Sequence, residues 1–171
     1  NVAVDDVLTV VNLKRGFEML LNDLQEPLIE TSKRINRIVA SEDALFPGEI
    51  RTGGIEVSTI QGRYVPPLLT ETEVHDHFDK IMDQNISETE KALRLFLFIA
   101  KNQTFWDGNK RTALLTANKI MFDCGLGLLS IPETVFETFN ELLSTYYNSE
   151  EDIHVEKILD FMYSDCIFVI F

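Results

Sequence analysis

Between Leu93 and Ile99 every residue except Arg94 is apolar. Just upstream, Ser87-Glu-Thr-Glu90 has the capping-box pattern, a hydroxyl at the cap and an acid three residues later, and predicts a helix start. A helix that is apolar nearly all round has no face to offer water, so it must be central, with other elements packed about it. It runs directly into Gln103-Thr-Phe-Trp-Asp-Gly-Asn-Lys-Arg-Thr112, which reads as a short loop entering a second helix.

The flanking segments supply the packing partners. Apolar residues at three- and four-residue spacing after Asp5 and Asp6 predict a helix to about residue 23, weakened by Gly16. Pro27 suits the first turn of a second helix, with Leu28, Ile35 and Ile38 as its apolar stripe, ending near Ala40. Residues 41–69 hold seven Gly or Pro residues and break any helix. Within them, Ile55 to Val65 alternates about a turn near Gln61-Gly62 and predicts a β-hairpin. Two strands alone are marginal in water, so the hairpin must lean on helices, with its outer edge free. Thr70-Glu-Thr-Glu73 predicts another capped helix, to about Met82. After the loop, Ala113, Leu114, Ala117, Ile120 and Met121 continue at helical spacing, and Gly125 is a fair C-cap. Helices are also expected from Pro132, with Val135, Phe136, Phe139, Leu142 and Leu143 on one face, and over about 151–163. The expectation is one all-α domain with one hairpin.

Composition matters where it excludes partners. A formal net charge of −13 argues against a nucleic-acid or anionic-membrane binder, because phosphate contacts need Lys and Arg. No apolar run approaches the ~20 residues of a membrane span. Cys124 and Cys166 match no metal or redox spacing and are expected to be small buried residues, consistent with a reducing cytoplasm. The chain starts on a residue other than Met and stops on Cys166-Ile-Phe-Val-Ile-Phe171, which suggests a piece of a longer protein.

Against that acidic background, residues 101–119 carry four cations (Lys101, Lys110, Arg111, Lys119) and one acid (Asp107), a local sum of +3. The first turn of the post-loop helix, near Asn109, exposes unpaired N–H groups in a dipole field that favours anions. Gly108 lets a ligand approach the backbone. Lys110 and Arg111 add charge and a forked donor. Asp107 is placed to hold Mg²⁺, which usually takes one or two carboxylates plus substrate phosphate oxygens. The alternative on these residues alone is an ordinary helix N-terminus preceded by an acid and a turn glycine.

Phe105-x-Asp107-Gly-Asn-Lys-Arg111 resembles the core of the Fic (Fido) family motif, H-x-F-x-[DE]-G-N-[GK]-R. Phe46-Pro-Gly-Glu-Ile-Arg51 and Tyr64-Val-Pro-Pro67 resemble the Pro-Gly-x-x-Arg and Pro-Pro segments on either side of the family's β-hairpin flap. The resemblance covers roughly residues 30–165, with about 1–29 a helical extension. Asn109 to Ala113 is also similar to the Doc toxin branch, of toxin–antitoxin systems. The resemblance implies transfer of a phosphate-containing group, most often AMP from ATP, to a protein hydroxyl. It assigns Mg²⁺ binding to Asp107 and the anion hole to Gly108 and Asn109. It further assigns phosphate contact to Arg111, with Phe105 and Lys110 in the nucleotide site, and the protein target to the flap at about 52–63.

Two departures qualify it. The family's general-base histidine falls at Gln103, whose amide cannot take a proton near neutral pH; loss of a general base typically costs ~10²–10⁴ in rate. His75 and His77 are two apart on a polar helix and read as surface residues, and His154 is also far from the motif in sequence. A further arginine found in many members falls at Leu114, as in the Doc-like branch, which transfers phosphate. The activity expected is therefore an attenuated transferase, with a nucleotide-binding pseudoenzyme or a protein-interaction module as alternatives.

Overall fold

The structure, a computed structural model, describes residues 4–22 and 25–169, with side chains from residue 7 onward. The expected last residue of the first helix, 23, lies outside the described residues, as do 170 and 171. The described residues form α1 (Val4–Leu20), α2 (Leu28–Val39), β1 (Val57–Thr59), β2 (Gly62–Tyr64), α3 (Glu71–Met82), α4 (Glu88–Asn102) and α5 (Asn109–Asp123). They continue with β3 (Leu128–Leu129), a single 3₁₀ turn at Glu133–Val135, α6 (Phe136–Tyr147), α7 (Asp152–Asp165) and β4 (Ile167–Phe168).

The predicted central helix is central. In α4, Ala92, Leu93 and every residue from Leu95 to Ala100 are buried. It packs most extensively on α5, which joins it through the six-residue loop 103–108, and α3 and α7 pack on its other sides. Ser87 caps it by accepting from the Glu90 N–H at 3.1 Å. The reciprocal half of that box is absent among the described residues because Glu90 pairs instead with Arg94, one turn on, at 2.7 Å. At Thr70 both halves form: the hydroxyl accepts from the Glu73 N–H, and the Glu73 carboxylate accepts from the Thr70 N–H at 2.7 Å.

The buried stripe of α2 differs from the expected Leu28, Ile35 and Ile38. It is Ile29, Thr31, Ser32, Ile35, Asn36 and Val39, with Leu28 and Ile38 half-buried. Three of its members are polar: Thr31 donates to Glu26 at 3.3 Å, and α5 opposes the other two with hydroxyls, Ser32 Oγ lying 2.8 Å from Thr116 Oγ1 and Asn36 Nδ2 donating to Thr112 Oγ1 at 3.1 Å. Gly16, which weakens α1 as a helix, lets it approach α5 closely. A Cβ there would lie 2.5 Å from a methyl of Leu115. Leu20, Ile35, Val39 and Leu115, with Phe17 against them, form a small second core under α1.

The hairpin pairs Val57 with Tyr64, Ser58 with Arg63 and Thr59 with Gly62, so its turn is at Ile60-Gln61. Its tip rests on α6, where the Gln61 N–H donates to Ser144 Oγ at 3.2 Å and Gln61 Nε2 donates to Thr145 Oγ1 at 2.7 Å. The expected single hairpin is present, and a further two-stranded ladder pairs β3 with β4, strands that α6 and α7 separate in the chain. Asn118 of α5 holds it: its amide accepts from the Leu129 N–H and donates to the Leu129 carbonyl, both at 2.9 Å. Two-residue strands carry no readable alternation. Cys166 is buried as expected, whereas Cys124 is exposed just beyond the end of α5. No described helix is long and apolar enough to cross a membrane.

Candidate functional site

The loop between α4 and α5 is held by three arrangements. At its start, Gln103 ends α4 in the left-handed region (φ 45°, ψ 58°), the only non-glycine described residue at positive φ. Its carbonyl and that of Asn102 accept from Arg51, at 2.8 and 3.0 Å, and the same guanidinium donates to the Gly53 and Pro67 carbonyls on the two stems of the hairpin. Arg51 is 3% exposed, so one buried cation ties the flap to the end of α4, where the helix dipole favours positive charge.

Within the loop, Asn109 closes a ring on Phe105: its Oδ1 accepts from the Phe105 N–H at 2.8 Å and its Nδ2 donates to the Phe105 carbonyl at 2.9 Å. Nδ2 also donates to Gln103 Oε1 at 3.2 Å, while Gln103 Nε2 donates to the Ala100 carbonyl at 2.7 Å. From outside, Asn36 of α2 donates to the Asp107 carbonyl at 2.8 Å and accepts from the Gly48 N–H at 2.8 Å. Gly108 adopts φ 68° against α2, and a Cβ there would come within 2.9 Å of the Ala40 methyl. The position therefore excludes other residues twice, by conformation and by space.

These constraints leave an open cleft of about 600 Å³. Its floor is Gln103 and Asp107 to Arg111, one wall is the hairpin at Val57 to Ile60, and the other is α6 with Asn140, Leu143, Ser144 and Tyr147. The structure thus brings Gln103, Asp107, Gly108, Asn109, Lys110 and Arg111 to one cavity. Phe105 stands apart: it is fully buried and holds the loop from beneath, with no surface on the cleft.

The charges around this floor are unequal. Lys110 pairs with no described residue, and the cleft walls desolvate its ammonium enough to lower its pKa although the side chain remains accessible. Arg111 donates to the Val39 carbonyl at 2.7 Å and to Asp43 at 2.9 Å. Lys101 and Lys119, counted in the local +3, serve elsewhere: Lys101 pairs with Glu150 and Lys119 with Asp123. Asp107 is exposed; one carboxylate oxygen accepts from the Gly108 N–H at 2.6 Å and the other is engaged by no described residue. Among the described residues no three His, Cys, Asp or Glu side chains cluster as a metal site. One free carboxylate oxygen beside the start of a helix, whose N–H groups can face a ligand, is compatible with a cation shared with a phosphate ligand and does not fit an all-protein cage. No histidine lines the cleft.

Arg51, Asn36, Asp43 and the α6 wall were not singled out as site residues from the sequence. The first signal was present in Pro-Gly-Glu-Ile-Arg51, which appears there only as part of the resemblance. Tyr147 is the most informative member of the wall. Its ring stacks on Tyr64 at 5.0 Å, its phenol is buried, and burial raises its pKa well above the ordinary range. Among the described residues its hydroxyl has no hydrogen-bond partner at full bonding geometry, although the Gln103 amide is near enough to offset part of that rise.

The sequence matches the Fic/DOC family over residues 21–121. No match among curated proteins reaches significance. Among solved structures, a Fic-domain-containing signaling protein from Bacteroides thetaiotaomicron superposes with a TM-score of 0.74 at 17% identity, covering 96% of this chain and 69% of that one. Fic-1 from C. elegans gives 0.70 at 19% identity, covering 95% and 48%. A Fic family protein from Desulfovibrio desulfuricans gives 0.58 at 14% identity, covering 96% and 48%. The chain spans about half the length of the last two proteins, and at these identities the likeness is one of fold. With the family matched over more than half of its residues, on a fold shared with solved Fic domains, the chain belongs to the Fic/DOC family.

Proposed function

We propose that this domain binds a nucleoside triphosphate with Mg²⁺ and carries the architecture for moving AMP or another phosphate-containing group to a protein hydroxyl, attenuated because Gln103 stands at the general-base position. The observation that carries the reading is the composition of the cleft at the α4–α5 junction. The start of α5, a free carboxylate oxygen on Asp107, the unpaired Lys110 and the forked Arg111 all face the same space, with the hairpin along its side.

In this reading the N–H groups at the start of α5 and Lys110 hold phosphate oxygens. Asp107 supplies a cation ligand, and the cation, when bound, would neutralise charge on the phosphates. An extended target segment pairs with the hairpin's free edge by strand addition. Gln103 orients an attacking hydroxyl without taking its proton. Both ends of its amide already bond within the protein, so reorienting it towards a ligand means giving up a contact to Ala100 or Asn109. That internal engagement favours low transfer activity over full activity.

Calorimetric titration with Mg·ATP tests the binding step. We expect saturable heat from the wild-type chain and, for Asp107→Ala, a loss of at least tenfold in affinity measured with Mg²⁺ that shrinks when EDTA replaces the metal. Absence of heat from the wild type, or an Asp107→Ala variant that binds Mg·ATP as tightly, contradicts the reading and favours a protein-interaction module.

A further inference from the structure

Arg111 and Lys110 are adjacent cations on the same cleft, yet the structure treats them differently. Lys110 has no partner among the described residues. Arg111 is gripped at both terminal nitrogens by the end of α2: Nη1 donates to the Val39 carbonyl at 2.7 Å and Nη2 to Asp43 Oδ2 at 2.9 Å. Asp43 is itself set by the turn that closes α2, where its N–H donates to the Ala40 carbonyl at 3.2 Å and the next N–H, of Ala44, donates there at 2.9 Å. Asn12 of α1 donates to Ser41 in the same turn at 3.2 Å. The turn is thus fixed from two helices before it reaches the guanidinium.

We infer that Asp43 is a positioning residue: it orients the Arg111 fork towards phosphate in the cleft, so that the arginine is ordered before the nucleotide arrives. The inference rests on the nucleotide reading above and names a residue which that reading does not need.

Three points support it. The Asp43 side chain is 43% exposed and that of Arg111 24%, and ion pairs this accessible contribute little to stability. A purely structural role is therefore a poor explanation for the contact. Second, among the described residues Arg111 engages partners only through its two terminal nitrogens, so Nε and the remaining N–H bonds stay available to a ligand. Third, a free arginine loses considerable rotamer freedom when it binds, and pre-ordering removes that cost from the binding step. The opposite role, a carboxylate that competes with phosphate for the arginine, predicts the opposite sign and is separated by the same measurement.

The test is Mg·ATP affinity by calorimetry on the 171-residue chain, with melting temperature recorded alongside. Asp43→Ala is expected to weaken binding about five- to tenfold. Its melting temperature should move by no more than about 2 °C. Asp43→Asn, which keeps an acceptor, should retain most of the affinity. Lysine has no fork to orient, so in an Arg111→Lys background Asp43→Ala should cause no further loss. Binding by Asp43→Ala that equals or exceeds wild type overturns the inference, as does an equal loss in the Arg111→Lys background. A wild-type chain that takes up no Mg·ATP removes the nucleotide reading itself and this inference with it; wild-type binding with an indifferent Asp43→Ala removes the inference alone.

Discussion

Arg51 is a buried cation that donates to four backbone carbonyls and pairs with no carboxylate among the described residues. Such a group is costly to desolvate and is tolerated because every bond is charge-assisted and two acceptors lie at the end of α4. Arg51→Met should destabilise the chain by about 3 kcal/mol or more in urea unfolding, since it strands carbonyls in a dry site. A loss below about 1 kcal/mol would mean that water replaces the guanidinium and that the hairpin is anchored by other contacts. Gln103, next to it, illustrates a different constraint. Left-handed backbone is uncommon for residues other than glycine, and histidine is among those that adopt it more readily. Strained positions cluster at functional sites. The backbone at 103 thus accommodates the family's residue at least as well as the one present.

The elements around the loop meet through a few polar contacts. The hairpin tip touches α6 through Ser144 and Thr145, one bond to each. Ser144→Ala with Thr145→Val should therefore speed hydrogen exchange in β1 and β2 by about fivefold or more while leaving α4 and α5 unchanged. Unchanged exchange in the hairpin would show that the stems alone hold it. Between α2 and α3, Lys33 pairs with Glu71, and with Glu30 at 3.4 Å. Hydrogen bonding and charge from Lys33 hold the Glu71 carboxyl below its ordinary pKa. A carboxyl depressed in the folded state stabilises the fold above its unfolded pKa, and that contribution disappears as pH falls through the lowered value. Glu71→Gln should lower stability by at most about 1 kcal/mol near neutral pH and by nothing once both states are protonated, as followed by melting temperature against pH. A difference that persists at the acid end would locate its effect in packing. Element by element, α4 was legible because apolar residues surround it, and α3 because its cap uses both partners of the box. The α2 face was not, since Ser32 and Asn36 look like surface residues until the Thr112 and Thr116 hydroxyls are placed opposite them. The β3–β4 ladder depends on Asn118, whose side chain is informative only when Leu129 is beside it.

At the scale of the molecule, α4 and α5 form a buried frame and the cleft lies at their junction, walled by the hairpin on one side and α6 on the other. Asp107 to Arg111 stands out in the sequence as a candidate anion site because its chemistry is local: an acid, a glycine, a helix start and two cations in sequence. What positions it was not readable, because Arg51, Asn36 and Asp43 act across 52, 71 and 68 residues of chain respectively. The local excess of positive charge also overstated the site, as only Lys110 and Arg111 face it. The central claim is that this cleft is a Fic-type transfer site limited chiefly by the absence of its base. Incubation of Gln103→His with Mg²⁺, lysate and ATP labelled at either the α or the γ phosphate tests it most directly. Labelled protein well above the wild-type level, abolished by adding Asn109→Ala, is the predicted result, and the position of the label identifies the group moved. A Gln103→His chain that folds and binds Mg·ATP yet labels nothing would contradict the claim.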